Sequence, residues 1–398
     1  MKSRLLFAFC LPFALSAQQT ITSTQNGSAS NPLTWDCICL PTTDDHVIIN
    51  HTLTMDVNWA VTNGGSITVN SSGALLQAGL KNLLVDGMNS EYINHGNSAF
   101  DQIAFTNGGA LTNDGHFSMT KAAYVGANSF FTNSGLVDGL DSLMSEGDFN
   151  NSGTVYTGNF LNVGFANTSG PIGADSLGNT GSFTMTGGYI MCNAFGNSGI
   201  FDMSGTGFLE VQQNWFNIGV FGVGTNNEIM AHNDFYNGDS LGGIATLTNN
   251  GSIEIWNDFY NSYEVFGSGN FCVANETYNA GDMNGTYDFC DNTGGNIDFN
   301  IGTVGAGITF CQPGCSVGLS EFGIVNVQVY PNPSEGLFSV NGVAENTVVE
   351  VYSLAGQNVA STHILNNSFD LSNLPIGTYL LIFADAYNAK PVKINIQK

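Results

Sequence analysis

Hydrophobic and polar residues alternate in short runs along most of the chain, and the runs end at asparagine and glycine. Alternation with a period of two predicts half-buried β-strands. The 50 glycines among 398 residues argue against helices, because glycine costs about 1 kcal/mol at a helical position. The pattern therefore predicts an all-β protein.

A motif of apolar residues around Asn-x-Gly recurs through residues 61–261. Its asparagines are Asn113, Asn133, Asn151, Asn179, Asn197, Asn217 and Asn249. Neighbouring copies are 18 or 20 residues apart, except for two gaps of 28 and 32 residues. We interpret the two longer gaps as insertions, since offset copies of the motif lie near Phe165 and Phe235.

A period near twenty residues with strand-like pieces is typical of a solenoid, in which stacked units bury faces that one unit cannot. Asparagine and glycine reach left-handed backbone conformations cheaply, so Asn-x-Gly is interpreted as the corner of each coil. Stacked asparagine side chains can then form a hydrogen-bonded ladder. We expect a right-handed parallel β-helix, with an array of β-sandwiches as the alternative.

Two segments flank these repeats. Residues 18–60 contain the run from Thr34 to Asp56, which resembles the opening coil of secreted Bacteroidetes β-helix proteins and predicts an N-terminal cap. Residues 262–324 break the period and are expected to form a C-terminal cap and linker.

The last segment, residues 325–398, shows a different alternation of short strands and turns. Val325, Val327 and Val329 alternate with polar residues, and Pro331 and Pro333 end that strand, because proline cannot donate to a strand ladder. Six or seven such strands predict a small antiparallel β-sandwich.

This tail resembles the type A C-terminal sorting domain of the type IX (Por) secretion system of Bacteroidetes. The resemblance implies recognition by the secretion machinery, removal by a sorting peptidase and anchoring of the body to surface polysaccharide. It places the protein at the outer cell surface or in the medium. The residues that carry the resemblance are Tyr330, Pro331, Asn332, Pro333, Gly336, Val351, Tyr352, Gly356, Asp370, Leu371, Leu374, Gly377, Tyr379 and Lys393.

The first 17 residues have the pattern of a secretory signal peptide. Lys2 and Arg4 precede an apolar run from Leu5 to Leu15, and the small residues Ser16 and Ala17 follow. The run is too short to span a bilayer, and no later apolar run approaches that length. We therefore expect export without a transmembrane segment.

Charge restricts the partners of the body. The chain has a formal net charge of −25, and residues 18–324 contain only Lys81 and Lys121 as basic residues besides histidine. Binding of nucleic acid requires lysine and arginine to neutralise phosphates. Nucleic acid and anionic lipid surfaces are therefore excluded as partners.

The cysteines fit an exported protein, in which disulfides are favoured over zinc pairs. The candidates for disulfides are Cys37, Cys39, Cys272, Cys290, Cys311 and Cys315. Their pairing cannot be assigned from spacing. Cys192 is the candidate for a free, buried thiol.

Oxygen ligands crowd a segment near residue 282. Asp282, Asn284, Asp288 and Asp291 lie within ten residues in a run expected to be a loop. Calcium prefers six to eight oxygen ligands, so this segment is the candidate calcium site. The alternative is a solvated acidic loop, and no cofactor is required by any feature of the sequence.

Two constellations are candidates for catalysis. Asp44, Asp45, His46 and His51 combine carboxylates with imidazoles, as transition-metal sites do; alternatively, the aspartates cap a turn and the histidines lie on a strand.

Hydrolases with this fold use clustered aspartates. The nearest candidates for such a cluster are Asp148, Asp202, Asp234 and Asp258. Each lies beside a different element of the repeat. Lyases with this fold use a lysine or arginine as the base, and the body offers only Lys81 and Lys121. No nucleophile-elbow motif occurs.

Paired aromatics suggest a binding surface. Phe235-Tyr236 and Phe259-Tyr260 occupy the same phase of the repeat, and alternation predicts that the phenylalanines point inward and the tyrosines outward. We therefore expect a non-catalytic adhesive or structural body with a glycan or protein ligand. The alternative is a carbohydrate-binding or carbohydrate-active protein, either a glycoside hydrolase or a lyase.

Overall fold

The computed structural model describes residues 18–238, 245–293, 296–311, 327–343, 347–353, 358–383 and 392–397. The chain divides into two units at Cys315. The expected signal peptide, residues 1–17, lies outside the described residues. Within the described ranges, no helix is long and apolar enough to cross a membrane.

The described residues of the body form 35 strands and one short 3₁₀ helix, Pro32–Thr34. The strands are β1 (Thr20–Thr22), β2 (Gly27–Ser28), β3 (His46–Ile49), β4 (Thr52–Met55), β5 (Trp59–Val61), β6 (Ser66–Val69), β7 (Ala74–Gln77), β8 (Asn82–Asp86), β9 (Glu91–Asn94), β10 (Asn97–Thr106), β11 (Ala110–Asn113), β12 (His116–Val125), β13 (Phe130–Asn133), β14 (Leu136–Ser145), β15 (Asp148–Asn151), β16 (Thr154–Asn162), β17 (Phe165–Thr168), β18 (Ile172–Asn179), β19 (Ser182–Asn197), β20 (Ile200–Val211), β21 (Trp215–Asn217), β22 (Val220–Val223), β23 (Glu228–Ala231), β24 (Phe235–Asn237), β25 (Thr246–Asn249), β26 (Ser252–Ile255), β27 (Phe259–Asn261), β28 (Glu264–Gly267), β29 (Asn270–Val273), β30 (Thr277–Asn279), β31 (Asp282–Met283), β32 (Asp288–Asp291), β33 (Phe299–Asn300), β34 (Thr303–Val304) and β35 (Thr309–Phe310).

Every strand of the body pairs in parallel with strands one coil away, which confirms the solenoid, with about 13 turns. The pairing forms three columns, here called faces A, B and C. Face A contains β1, β3, β6, β9, β11, β13, β15, β17, β22, β25, β28, β31 and β34. Face B contains β2, β4, β7, β23, β26, β29, β32 and β35. Face C contains β5, β8, β21, β24, β27, β30 and β33.

Long strands bend from one face to the next. β10, β12, β14, β16 and β18 bend from face B to face C. β20 crosses faces A and B, and β19 crosses all three.

Alternate residues of each strand point into the interior, as the sequence pattern predicts. Phe149, Phe160, Phe183 and Phe201 are buried on successive coils, with neighbouring ring centroids 4.7–5.9 Å apart. Large aromatic side chains contribute much of the burial energy of a core. Each coil is stabilised mainly by its two neighbours.

Asparagines form two ladders at two different corners, and all of them are buried except Asn300. The first follows the ends of face A, through Asn94, Asn113, Asn133 and Asn151, with amide-to-carbonyl distances of 2.7–2.8 Å. The second follows the ends of face C, with distances of 2.8–2.9 Å, through Asn162, Asn179, Asn197, Asn217, Asn237, Asn261, Asn279 and Asn300.

This change of corner corrects the interpretation of the two long gaps. The 28-residue gap between Asn151 and Asn179 needs no insertion, because the first residue ends face A and the second ends face C. The 32-residue gap also joins different corners, and it includes a longer connection, residues 238–245, between β24 and β25.

The glycines of the Asn-x-Gly motif also have a different role from the expected one. Neither the ladder asparagines nor these glycines have positive φ in the described body. A Cβ atom on Gly153 would lie 2.1 Å from the carbonyl oxygen of Gly135, and one on Gly135 would lie 2.2 Å from that of Gly115. Glycine is needed there because successive coils approach closely at the corner.

The strand ladder extends beyond the predicted repeats at both ends. β1–β4 belong to it within residues 18–60, and β28–β35 continue it from Glu264 to Phe310. The expected break after residue 261 is therefore wrong, because the coils continue there with shorter strands and with Asn-x-Gly at Asn279 and Asn300.

Disulfides occur at both ends of the body. Cys37 pairs with Cys39, and Cys290 pairs with Cys311 across adjacent coils of face B, with Cα atoms 4.9 Å apart. Cys272 lies opposite Cys290 one coil earlier, and Cys315 lies outside the described residues. Cys192 is free and buried, and burial raises the pKa of its thiol to about 12.

The C-terminal unit is antiparallel. Its strands are β36 (Gln328–Tyr330), β37 (Leu337–Asn341), β38 (Val348–Ser353), β39 (Asn358–His363), β40 (Ser368–Asp370), β41 (Gly377–Phe383) and β42 (Val392–Ile396). They form a three-stranded sheet, β36-β37-β40, and a four-stranded sheet, β39-β38-β41-β42. One apolar cluster, including Phe338, Val351, Leu381 and Ile394, lies between them. The expected small antiparallel sandwich is confirmed.

Candidate functional site

Five aromatic rings form a continuous row on the outside of face C, here called the ring row. Its members are Phe216, Tyr236, Tyr260, Tyr278 and Phe299. Neighbouring centroids are 4.7–4.9 Å apart, and the planes of neighbouring rings differ by 1–10°. The spacing equals that of paired strands, so each ring lies directly over the ring of the preceding coil.

Strand register positions the ring row. Each ring lies one residue before a ladder asparagine, and every ring except Phe299 follows a buried residue, as in Trp215-Phe216-Asn217 and Phe235-Tyr236-Asn237. Phe235 and Phe259 are fully buried, while Tyr236 and Tyr260 are partly exposed. This confirms the predicted inward and outward orientations.

Carboxylates hold the three tyrosine hydroxyls of the ring row. The hydroxyl of Tyr236 donates to Asp234 at 2.9 Å and that of Tyr260 donates to Asp258 at 3.0 Å. The hydroxyl of Tyr278 donates to Glu276 in the same way. Each tyrosine is thus fixed at both its ring and its hydroxyl.

These surroundings disfavour the tyrosinate. Partial burial, together with the Asp234 carboxylate, raises the pKa of Tyr236 to about 12. Burial and Asp258 raise the pKa of Tyr260 as well. The hydrogen bond to Glu276 raises the pKa of Tyr278 to about 12. The three hydroxyls therefore stay protonated at neutral pH.

Asparagine amides bond to the same aspartates. The Nδ2 of Asn257 donates to Asp234 Oδ1 and that of Asn275 donates to Asp258 Oδ1, both at 2.6 Å. With the tyrosine bonds, both oxygens of each aspartate already accept a hydrogen bond. Asp234 and Asp258 therefore have a structural role that accounts for their proximity, while Asp148 and Asp202 lie on face A.

Stacking covers the ring faces inside the row. Tyr236 lies between Phe216 and Tyr260, so both of its faces are covered, and the same holds for the other tyrosines. The expected stacking platform for sugars would need open faces. Phe216, which is about half exposed, is the ring at the N-terminal end of the row.

A second polar cluster lies on face B and beyond its edge. Glu210 accepts from His232 Nε2 at 2.8 Å, from Gln212 Nε2 at 2.6 Å and from the Tyr189 hydroxyl. The centroids of the His232 and Trp256 rings lie 4.2 Å apart, and the two rings meet edge to face. No sequence motif predicts this cluster, since Tyr189, Glu210, His232 and Trp256 are each more than 20 residues from the next.

The candidate calcium residues lie on strands rather than in one loop. Asp282 begins β31, and Asp288 and Asp291 bound β32. The Asp291 carboxylate is buried and accepts from the Thr277 hydroxyl at 2.6 Å, and Asp282 accepts from the Thr303 hydroxyl at 2.5 Å. Asn284 donates its backbone amide to Val265. Among the described residues, no three His, Cys, Asp or Glu side chains gather into a group that could hold a metal ion. Calcium binding stays a prediction.

The Asp44–His51 constellation has the alternative arrangement that the sequence allowed. Asp45 caps a turn by accepting from the backbone amides of Thr42 and Gln19, at 2.7 and 2.9 Å. His46 lies on β3 and bonds Ser66, and His51 bonds Ser23. The two histidines thus bond different serines.

The sorting-motif residues hold the C-terminal unit together. Asn332 donates to the carbonyl of Lys393 and accepts from the amide of Asn395, both at 2.8 Å, which ties the YPNP segment to the last strand. Gly336 has φ +124°, and a Cβ there would lie 2.4 Å from the Cα of Ser372. Only glycine fits that position.

The remaining motif residues form a turn and the core. The Asp370 carboxylate accepts from Ser372, which lowers its pKa, and Leu374 donates to the carbonyl of Leu371. The Tyr379 hydroxyl donates to Pro375 at 2.9 Å. Val351 is fully buried and Tyr352 bonds Glu350, whereas Gly356 lies outside the described residues. Tyr330, Pro331 and Pro333 are exposed, and Gly377 begins β41.

Sequence reasoning missed Phe216, Tyr278 and Phe299 as members of the ring row. A signal was present, because an aromatic residue directly precedes Asn217, Asn237, Asn261, Asn279 and Asn300. Asn-x-Gly does not mark the ring row as a whole, because its glycine follows Asn217, Asn279 and Asn300 but not Asn237 and Asn261. An aromatic-asparagine pattern would have found all five rings.

Comparison with known proteins identifies one part of the chain. Residues 328–397 match the family described as the secretion system C-terminal sorting domain. No curated protein and no solved structure matches the chain.

Proposed function

Because residues 328–397 are a sorting domain that directs export through the type IX secretion system to the cell surface or medium, we propose that the solenoid body acts there as a non-catalytic adhesin. The observation that carries this proposal is the ring row. Its outward aromatic rings extend over five successive strands of face C, and hydrogen bonds hold the hydroxyls of its three tyrosines. Rigid aromatic side chains supply contact area at low entropic cost.

The same face supports binding better than catalysis. The closest carboxylates, Asp234 and Asp258, are engaged by tyrosine hydroxyls and asparagine amides. A general acid or base needs to reach a substrate proton directly. The carbohydrate-active alternative therefore has weaker support than adhesion.

The sorting peptidase and a surface polysaccharide anchor are the expected partners of the tail. Adhesion would be the function of the body that remains after processing. A rod with a repeating face suits this role, because contact area grows with the number of coils.

Adhesion can be tested with cells that display the wild-type chain and with cells that lack it. Wells would be coated with a basic protein, an acidic protein or a neutral polysaccharide, and both retained cells and released oligosaccharide would be measured. We expect retention that requires the protein, without sugar release. Equal retention of the two strains, or release of oligosaccharide, would contradict the proposal.

Matched variants assign adhesion to the ring row. Tyr260→Ala removes a central ring, whereas Phe165→Ala removes a more exposed aromatic from face A, where Phe165 is 68% exposed. Only Tyr260→Ala should reduce retention. Thermal unfolding of both variants would show whether the coils remain folded.

A further inference from the structure

The N-terminal end of the ring row has an open slot one ring thick. In the register of face C, Gly196 precedes Phe216, and Gly178 precedes Gly196. A Cβ on Gly196 would meet no atom within 4 Å, and Gly196 does not have positive φ. One face of Phe216 is covered by Tyr236 at 4.9 Å, and its other face borders this empty position.

Leu161 closes the far side of the slot. It occupies the register position before Gly178. A Cβ on Gly178 would lie 3.2 Å from Leu161 Cδ1, so the leucine side chain extends over that glycine. The free space is therefore at the level of Gly196, between an aromatic face and an aliphatic side chain.

The geometry fits a flat group that extends the ring row by one step. A group at the level of Gly196 would lie one coil from Phe216, a spacing of 4.7–4.9 Å along the row. A cation within about 6 Å of a ring centroid is attracted by the negative face of the ring. The slot thus places a planar group at the distance where this attraction acts.

Charge decides between a neutral and a cationic occupant. The chain has a net charge of −25, and the coils that follow Phe216 on face C carry Asp234, Asp258 and Glu276. Of the two body lysines, Lys121 lies 3.8 Å from Asp101. Among cationic side chains, the guanidinium is planar, weakly hydrated and stacks on aromatic faces, whereas an ammonium is a compact point charge.

We propose that the slot over Gly196 binds an arginine side chain of a basic protein partner, stacked on the open face of Phe216. This inference rests on the proposed adhesive function and names the chemical class of its ligand. The acidic residues attract the basic segment over a distance, and the slot selects the guanidinium plane.

The test uses the full-length protein and a labelled short peptide of alternating glycine and arginine. Fluorescence anisotropy at physiological ionic strength would measure its affinity. Gly196→Phe fills the slot with a ring and leaves the net charge unchanged, and Phe216→Ala removes the stacking face. We expect each variant to bind the peptide about fivefold more weakly than the wild type.

Two controls separate stacking on Phe216 from the general electrostatic attraction of a basic peptide to the acidic body. Phe165→Ala removes an exposed aromatic of face A, outside the ring row, and it should keep wild-type affinity. The same peptide with lysine in place of arginine should bind all variants alike. Since a Cβ at Gly196 meets no neighbour, Gly196→Phe should fold, and its thermal unfolding would verify this.

Several outcomes would overturn the inference. Unchanged arginine affinity in Gly196→Phe would show that the slot does not hold the guanidinium. Saturable binding of a neutral cello-oligosaccharide that Gly196→Phe abolishes would assign the slot to sugar. Light scattering that shows self-association lost in Gly196→Phe would assign it to a second copy. Adhesion that persists in Gly196→Phe would contradict this inference alone, whereas no adhesion by the wild type would contradict the proposed function.

Discussion

The solenoid body and the sorting domain are both built from short alternating strands, but different features specify them. In the body, every strand pairs in parallel with the equivalent strand of the next coil, and one inward pattern is repeated. In the sorting domain, antiparallel strands meet through turns, and single residues such as Gly336 and Asn332 fix contacts that occur once. The body is therefore recognised by its period and the tail by individual residues.

The two regions also use asparagine differently. Asn197 is buried and bonds the side chains of the coils before and after it, at 2.8 and 2.9 Å. Asn332 is exposed, and within the described part of the sorting domain its side chain bonds only backbone atoms of the last strand. Substitution of Asn197 therefore removes hydrogen bonds to both neighbouring coils. Substitution of Asn332 removes hydrogen bonds within one small domain.

The largest effect is expected from deleting residues 328–397. Because the tail is the sorting signal for type IX export, the truncated protein should be retained inside the outer membrane, with the body still folded. Protease accessibility on intact cells and fractionation would locate it. Normal surface delivery of the truncated chain would contradict the role of the sorting domain.

A smaller effect is expected from asparagine substitutions. Asn197→Ala breaks two links of a buried ladder and should lower the free energy of unfolding of the body by about 2 kcal/mol. Asn332→Ala should destabilise the sorting domain by about 1 kcal/mol, because its bonds are exposed to competing water.

Asn193→Ala is the matched control for the ladder. Asn193 lies only four residues before Asn197, but it is exposed and bonds Asp175. Its substitution should change stability by less than about 0.5 kcal/mol. Denaturant unfolding of the three variants would measure the differences, and equal effects of Asn193→Ala and Asn197→Ala would refute a stabilising ladder.

The smallest effect concerns alkaline pH. The folded-state pKa of Tyr236 is raised to about 12 from an ordinary value of 10.0. Stability from this interaction is therefore complete below pH 10 and is lost as the pH rises from about 10 to about 12. Absorbance titration of tyrosinate should show ionisation near pH 12 that decreases in Tyr236→Phe. A titration curve identical to that of the wild type would contradict the assignment.

The architecture could be predicted because its causes are local. Alternation of Phe149 and Phe201 with polar neighbours gave the strands, and repetition of Asn-x-Gly gave the coils. The two corners could not be distinguished, since Asn151 and Asn179 occur in the same motif and differ only in the face that they end. Likewise, the glycine at 153 is required by a carbonyl of the previous coil, a contact that no local pattern contains.

The candidate site was predicted in part. Repetition of Phe235-Tyr236 as Phe259-Tyr260 gave the outward tyrosines of the ring row. Phe216 and Phe299 were missed, because their neighbours Trp215 and Asp298 do not repeat the pattern. The open slot exists because Gly196 of one coil lies beside Phe216 of the next coil. Only the register of the strands shows that these two residues are neighbours.

The asparagine ladders make each coil an interchangeable unit of length. Within the second ladder, the coil between Asn179 and Asn197 offers the same donor on one side and the same acceptor on the other as its neighbours do. In-frame duplication of such a segment would add one strand spacing, about 4.8 Å, to the axis without creating an unmatched edge. Duplication of such a segment in the gene could thus change the length of the solenoid while leaving the sorting domain unchanged.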